Sequence, residues 1–225
     1  MSLGGLEEQA LRSAIRETAL AMNAHGINRG KSGNVSARLR QDDFDGFLVT
    51  PTGLPYDRTT PADIVAMTLA GKPHGDRLPS SEWRFHRDIY RTRADANAIV
   101  HTHAPFATTL ACHGRSIPAF HYMVAVAGGP DIRCADYATF GTQALSVHVL
   151  AALDRRRACL LAHHGMIAIG ASLETALALA IEVETLAEMY WRALALGEPG
   201  NLSDAEMGIV LEKFATYGQR GEAHT

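Results

Sequence analysis

Three histidines in two apolar stretches, His101 and His103 in AIVHTHA and His164 in CLLAHHG, have the residue types and setting of a divalent-metal site. In an extended strand, side chains two apart share a face, so His101 and His103 project together while Thr102 points the opposite way. A third imidazole from a distant segment completes a three-nitrogen donor set, the kind that keeps a coordination position open for substrate in catalytic zinc sites. His163 and His164 are adjacent, and strand geometry directs only one of them to the metal, leaving the other for supporting bonds. The spacing does not choose between them.

Glu82 is the carboxylate that could work beside such a metal. As a helix-terminal acid in PSSEW it favours the helix dipole by about 0.3–1 kcal/mol. Buried next to a metal, it is a general acid/base. Taken by itself, the helix-terminal role is the simpler one. Gly33, Asn34, Thr52, Gly53, Ser80 and Ser81 offer backbone amides, hydroxyls and one carboxamide for an anion, with the two serines at a helix start where a phosphate is favoured. No Walker sequence, no GxGxxG after a strand and no GxSxG is present, so nucleotide binding and serine hydrolysis have no support. The chain has three lysines, Lys31, Lys72 and Lys213, all in loop or polar helical contexts unsuited to a Schiff base. Metal-assisted polarisation is the electrophile that remains.

These residues need elements to aim them. Apolar positions Leu6, Ala10, Leu11, Ile15, Ala19 and Met22 recur at helical spacing and Gly26 supplies a stop. Val35 to Leu39 alternates and can pair with Phe47 to Val49, after which DIVAMTLAG reads as another strand. A serine cap and a first-turn acid predict a helix over 81–92. Ala96 to His103 reads as a strand ending at the histidines, Phe106 to His113 as a short helix closed by Gly114, and Thr142 to Ala152 as a helix. Ala158 to His163 is a buried strand by its continuous apolar character, Leu173 to Ala195 a long helix, and Ser203 opens a last helix through Phe214. Strands and helices interleave without strict alternation, which predicts a three-layer α/β fold.

The chain's 225 residues and 47% hydrophobic content suit one substantial core. Residues 6–225 are expected to form it, with MSLGG at 1–5 outside the fold. A formal charge of −3 with both signs interspersed offers no stripe for nucleic acid. Cys112, Cys134 and Cys159 are odd in number and widely spaced, which suits reduced thiols and a cytoplasmic location. No basic-then-apolar leader and no stretch of membrane-spanning length is expected.

Taken in order, GNVSAR, TPTGLPYD, LPSSEWRFHRDIYRTRADANAIVHTHA, SIPAFHYMVAVAGG, YATFGT, LLAHHG and LEKFATYG resemble the class II aldolase/adducin family, from about Gly30 to Gly218. The resemblance implies a three-layer αβα domain with a central mixed, largely antiparallel sheet. It implies one zinc per subunit on His101, His103 and His164, with His163 the neighbour that does not ligate, and Glu82 as catalytic acid/base. Asn34, Thr52, Gly53, Ser80 and Ser81 would bind substrate phosphate, with Lys31 beside them. Tyr122 and Tyr217 match two tyrosines near the family's active site, the first donating a proton from a neighbouring subunit of a C4 homotetramer.

The implied reaction is reversible cleavage of a ketose 1-phosphate, with L-fuculose 1-phosphate the first choice, to dihydroxyacetone phosphate and a small aldehyde, L-lactaldehyde. The alternatives are a 5-deoxy- or 5-methylthio-pentulose 1-phosphate aldolase, a pentulose-5-phosphate 4-epimerase, and a non-enzymatic adducin-like module. An aspartate is usual in the epimerases where this chain has Glu82, and the presence of all three histidines and the acid argues against a non-enzymatic module.

Overall fold

Strand alternation sorts the apolar residues onto the two faces of one sheet. Val35, Ala37 and Leu39 face one side with Ala98, Val100, Met166 and Ala168, while Phe47, Val49, Ile99, Ile167 and Ile169 face the other. The computed structural model describes residues 3–41 and 44–216. Its elements are α1 (Leu3–Ala24), β1 (Asn34–Gln41), β2 (Phe44–Val49), β3 (Val65–Thr68), β4 (Pro73–His74), α2 (Trp83–Thr92) and β5 (Ala98–Thr102). They continue with α3 (Pro105–Cys112), β6 (Cys134–Ala135), α4 (Gln143–Ala152), β7 (Ala158–Leu161), β8 (Gly165–Gly170), α5 (Leu173–Leu194) and α6 (Asp204–Thr216).

The sheet has the order β4-β3-β2-β1-β5-β8-β7-β6, antiparallel throughout except for the β6–β7 pair. Helices α1, α3 and α5 cover one face and α2 and α4 the other, so both faces of the central strands are buried. This is the expected three-layer α/β architecture. All five residues of β5 are buried, and each wholly buried Ile or Val contributes about 1.5–3 kcal/mol. That makes β5 a rigid support for the residues at its end. Thr142 caps α4 by accepting from the Leu145 amide (3.3 Å), as the helix expected from Thr142 requires, and Ser203 accepts from the Glu206 amide (3.2 Å) ahead of α6.

Several boundaries differ from expectation. Helix α1 begins at Leu3, so part of the MSLGG segment set aside above is helical. No serine caps α2: Glu82 itself is the N-cap residue and its side chain makes no capping bond, while Ser80 Oγ accepts from the Glu82 amide (3.3 Å) just outside the helix. Strand β5 stops at Thr102, two residues before the Ala104 N-cap of α3, and β7 stops at Leu161, where the chain turns through His163 with a left-handed φ of 57°. Strand β8 has no counterpart among the expected elements; it follows that turn at once and pairs with both β5 and β7. Tyr217 lies outside the described residues.

Candidate metal centre

Register decides what surrounds His101. Its Cα stands opposite Asn34 of β1 and Ile167 of β8 in the middle of the sheet. Its side chain has the parity of Ile99 and so faces α2, with the Phe85 ring 5.5 Å away edge-on. Thr102 takes the opposite face, where its hydroxyl donates to the Ile27 carbonyl. His103 follows one residue beyond the strand, and His164 enters from the β7–β8 turn.

The three rings stand at the corners of a near-equilateral triangle, with centroids 5.1, 4.8 and 4.9 Å apart for 101–103, 101–164 and 103–164. One nitrogen from each lies within 4.8 Å of the others, so the set could hold a metal ion. His163 is not in this cluster; its ring packs edge-on against Tyr137 at 5.9 Å. Two glycines permit the convergence. A Cβ on Gly33 would meet the His101 carbonyl oxygen at 2.5 Å, and one on Gly165 would meet the Thr102 carbonyl oxygen at 2.5 Å and His103 Cδ2 at 2.9 Å.

The Glu82 carboxylate closes the triangle from the entry to α2. Its Oε2 is 3.1 Å from His101 Nε2, and its Oε1 is 3.2 Å from His164 Nε2 without the geometry of a hydrogen bond. Burial alone would push the Glu82 carboxyl up; positive charge at the His101 and His164 rings would outweigh it and hold the group well below the ordinary carboxylate range. Burial, with His101 and His164 nearby, pushes His103 down to about 4, which leaves its ring neutral and able to donate a lone pair.

The donor set fits a cation. The Met166 carbonyl can only accept, so His101 Nδ1 carries the proton it shares with that oxygen (2.9 Å), and in the neutral ring that ligates a metal the lone pair is on Nε2. His101 Nε2, His103 Nε2 and Glu82 Oε1 are all buried and make no hydrogen bond. An imidazole lone pair turned toward a carboxylate with no donor between them is repulsive unless a positive charge sits between them.

Behind Glu82 runs a buried polar chain that residue types alone did not single out. Asn34 Nδ2 donates to Glu82 Oε2 (2.9 Å), Asn34 Oδ1 meets His86 Nε2 (2.5 Å), and His86 Nδ1 and the Tyr90 hydroxyl each lie 2.7 Å from Ser36 Oγ. Burial, with His101 nearby, pushes His86 down to about 3, so its ring is neutral. The available signal was periodicity: Glu82, His86 and Tyr90 are spaced by four on a helix, facing Asn34 and Ser36 spaced by two on a strand.

A cavity of about 290 Å³ opens on the cluster, lined by Ser81, Glu82, His103 and His164 and by two further aromatic residues, Tyr137 and Phe140. Both aromatics are exposed, at 59% and 64%, and both come from the YATFGT segment. The loops of the expected anion nest meet beside it: the Thr52 amide donates to the Leu78 carbonyl (3.1 Å), Ser80 N to Thr50 O (3.0 Å) and Lys31 Nζ to Gly53 O (2.8 Å). The Asn34 carboxamide, expected in that nest, is turned to Glu82 and His86 instead, with one Nδ2 hydrogen to spare. Tyr122 is not brought to the cluster; it is half exposed at the start of a 3₁₀ turn and lines a separate cleft with Val210 and Phe214.

Residues 13–191 match the family described as class II aldolase and adducin N-terminal domain. The chain belongs to that family. It is 55% identical over 213 residues to the 5-methylthioribulose-1-phosphate/5-deoxyribulose-1-phosphate aldolase of Rhodospirillum rubrum, covering 95% of each chain. It is 52% identical over 218 residues to the L-fuculose phosphate aldolase of Escherichia coli K12, covering 96% of this chain and all of that one. A solved L-fuculose 1-phosphate aldolase superposes with a TM-score of 0.86 at 39% identity, over 92% of this chain and 96% of that chain. The protein is therefore a class II aldolase, from a metal-dependent family that acts on phosphorylated sugars. No helix among the described residues is long and apolar enough to cross a membrane.

Proposed function

We propose that this class II aldolase cleaves a ketose 1-phosphate with an apolar terminus to dihydroxyacetone phosphate and a short aldehyde. L-Fuculose 1-phosphate, giving L-lactaldehyde, is the first candidate, and the 5-deoxy- and 5-methylthio-ribulose 1-phosphates are the others. All three lack a terminal hydroxyl, which suits the exposed Tyr137 and Phe140 at the cavity mouth. The observation that carries the reading is the cluster itself: three converging imidazoles, two of them within 3.2 Å of a buried carboxylate, with the Nε2 atoms of His101 and His103 buried and unpartnered.

His101, His103 and His164 would hold the metal, and an all-imidazole set suits zinc. Bound there, zinc supplies Lewis acidity, favouring the negative charge that develops on the substrate oxygens as the carbon–carbon bond breaks. Glu82 would handle the proton at C3. In cleavage the C4 hydroxyl would lose its proton to a tyrosine-linked or water-linked base, the C3–C4 electron pair would stay with the dihydroxyacetone phosphate fragment, and Glu82 in its protonated form would deliver a proton to C3; in synthesis its carboxylate would remove that proton. Thr52, Gly53, Ser80 and Ser81 would take the phosphate, with Asn34 contributing its spare amide hydrogen at the inner edge and Lys31 its charge at the outer. Tyr122 from a neighbouring copy in a C4 homotetramer would protonate the new C4 oxygen during synthesis, and Tyr217 would assist there by the family resemblance alone. Cys112, Cys134 and Cys159 are free, in keeping with a cytoplasmic setting.

The test is to incubate zinc-loaded protein with L-fuculose 1-phosphate, 5-deoxyribulose 1-phosphate, 5-methylthioribulose 1-phosphate and a pentulose 5-phosphate, with and without chelator, and to assay dihydroxyacetone phosphate. Chelator-sensitive release from a 1-phosphate is expected. No release from any of them, or epimerisation of the 5-phosphate without cleavage, overturns the reading.

A further inference from the structure

We propose that His86 is a positioning residue for Glu82, acting through Asn34 at the end of a one-way chain of hydrogen bonds that starts at Tyr90. The inference rests on the proton-handling role proposed for Glu82.

Each link constrains the next. An ionised carboxylate only accepts, so Asn34 must present its amide NH2 to Glu82 Oε2 and its carbonyl oxygen to His86. That oxygen only accepts, so His86 carries its proton on Nε2. In a neutral ring Nδ1 must then accept, and the one group offered to it is the Ser36 hydroxyl. Having donated to His86, Ser36 Oγ accepts from the Tyr90 hydroxyl. Reversing any one bond turns two lone pairs against each other elsewhere in the chain.

The geometry is built by two stripes locked together. Glu82, His86 and Tyr90 lie one turn apart along α2 from its N-cap, and Asn34 and Ser36 alternate between them on the same face of β1, making a zigzag 82–34–86–36–90. Asn34, Ser36, His86 and Tyr90 are all at least 97% buried, so water cannot substitute for a missing partner. The result at the reactive end is asymmetric. Each oxygen stands beside one imidazole, Oε2 by His101 and Oε1 by His164, but only Oε2 is tethered, by Asn34, whereas Oε1 is buried without a hydrogen bond. The chain thereby fixes the carboxylate plane and leaves Oε1 as the oxygen that carries the proton.

The test uses the zinc-loaded protein, with C3 proton exchange on dihydroxyacetone phosphate as the readout. Glu82→Gln comes first: unchanged exchange removes Glu82 from its role and with it the reading on which this inference stands. With Glu82 established, His86→Leu is expected to lower kcat about tenfold to a hundredfold with zinc content unchanged and KM moved less than about twofold, whereas His86→Gln, which retains a donor, recovers part of the loss. In the Glu82→Gln background His86→Leu is expected to cost nothing further. Equal losses in both backgrounds overturn the proposal and leave His86 a packing residue. Should His86→Leu not fold, ring-nitrogen NMR of the unsubstituted protein decides: an Nε2–H tautomer at His86 is expected, and an Nδ1–H tautomer or an imidazolium refutes it.

Discussion

His101 Nε2 stands 3.1 Å from Glu82 Oε2 while the opposite ring nitrogen is committed to the Met166 carbonyl. The pair is stable with a cation or a proton between the two atoms and strained with neither. Removing metal at neutral pH is therefore expected to draw protons into the site and to lower thermal stability. A metal at a hundredfold excess over its Kd adds about 2.7 kcal/mol, and each kcal/mol moves Tm by about 2–4 °C in a chain of this size, so chelation should lower Tm by roughly 5–10 °C. Calorimetry with and without chelator, in two buffers of different ionisation enthalpy, reads both the shift and the proton uptake. An unchanged Tm removes the metal from the three histidines.

Gly165 and His103 offer a purely steric test. A Cβ at Gly165 would stand 2.5 Å from the Thr102 carbonyl oxygen, which is backbone and cannot move aside without shifting β5. Gly165→Ala is expected to destabilise the fold by about 1–3 kcal/mol and to weaken metal binding by about tenfold or more as His103 is displaced. Gly200→Ala is the control, since a Cβ there meets nothing within 4 Å. Thermal melts and zinc titrations of the two variants separate the effects, and equal behaviour of both denies the close packing its role.

What was legible in the sequence, and what was not, divides along local and non-local information. His101 and His103 share a strand, so their alignment follows from a period of two. The choice of His164 over His163 depends on a left-handed turn at His163, and nothing in HHG marks a non-glycine residue for that conformation. Glu82 was readable as a helix-start acid, but its contact with His101 depends on how α2 lies across β1, some 48 residues away in sequence from Asn34. The same holds for His86: its partners Asn34 and Ser36 come from another element, so Glu82 and Asn34 are legible as separate candidates while the chain that links them through the register is not. Strand β8 was hidden because its apolar run begins directly after the histidine turn, without the polar punctuation that marks the other strands.

Lys31 and Gly53 join two loops at the outer edge of the proposed phosphate site, through the ammonium and a carbonyl oxygen 2.8 Å apart. The lysine is exposed, so its charge is screened and its contribution to binding an anion is small. Lys31→Thr is expected to raise KM for the 1-phosphate substrate about two- to fivefold with kcat unchanged, and to flatten the dependence of KM on salt. Initial rates at low and high ionic strength measure both. A fall in kcat at constant KM would place Lys31 in the chemistry instead.

Tyr122 lies outside its own chain's cavity, in a cleft with Val210 and Phe214, so a catalytic part for it requires a second copy. That requirement has a distinctive signature. Tyr122→Phe and Glu82→Gln, each made alone, are expected to lose about a hundredfold or more of the aldol activity. If Tyr122 serves the neighbouring subunit, dissociating and reassociating an equal mixture of the two variants regenerates sites that pair an intact Glu82 with an intact Tyr122. Random assembly in a ring gives about a quarter of the sites this composition, and activity should recover to about that fraction of the unsubstituted enzyme. Recovery also requires that the subunits assemble, so sedimentation of the mixture checks the oligomer independently. An assembled mixture that stays as inactive as its components places Tyr122 outside the reaction.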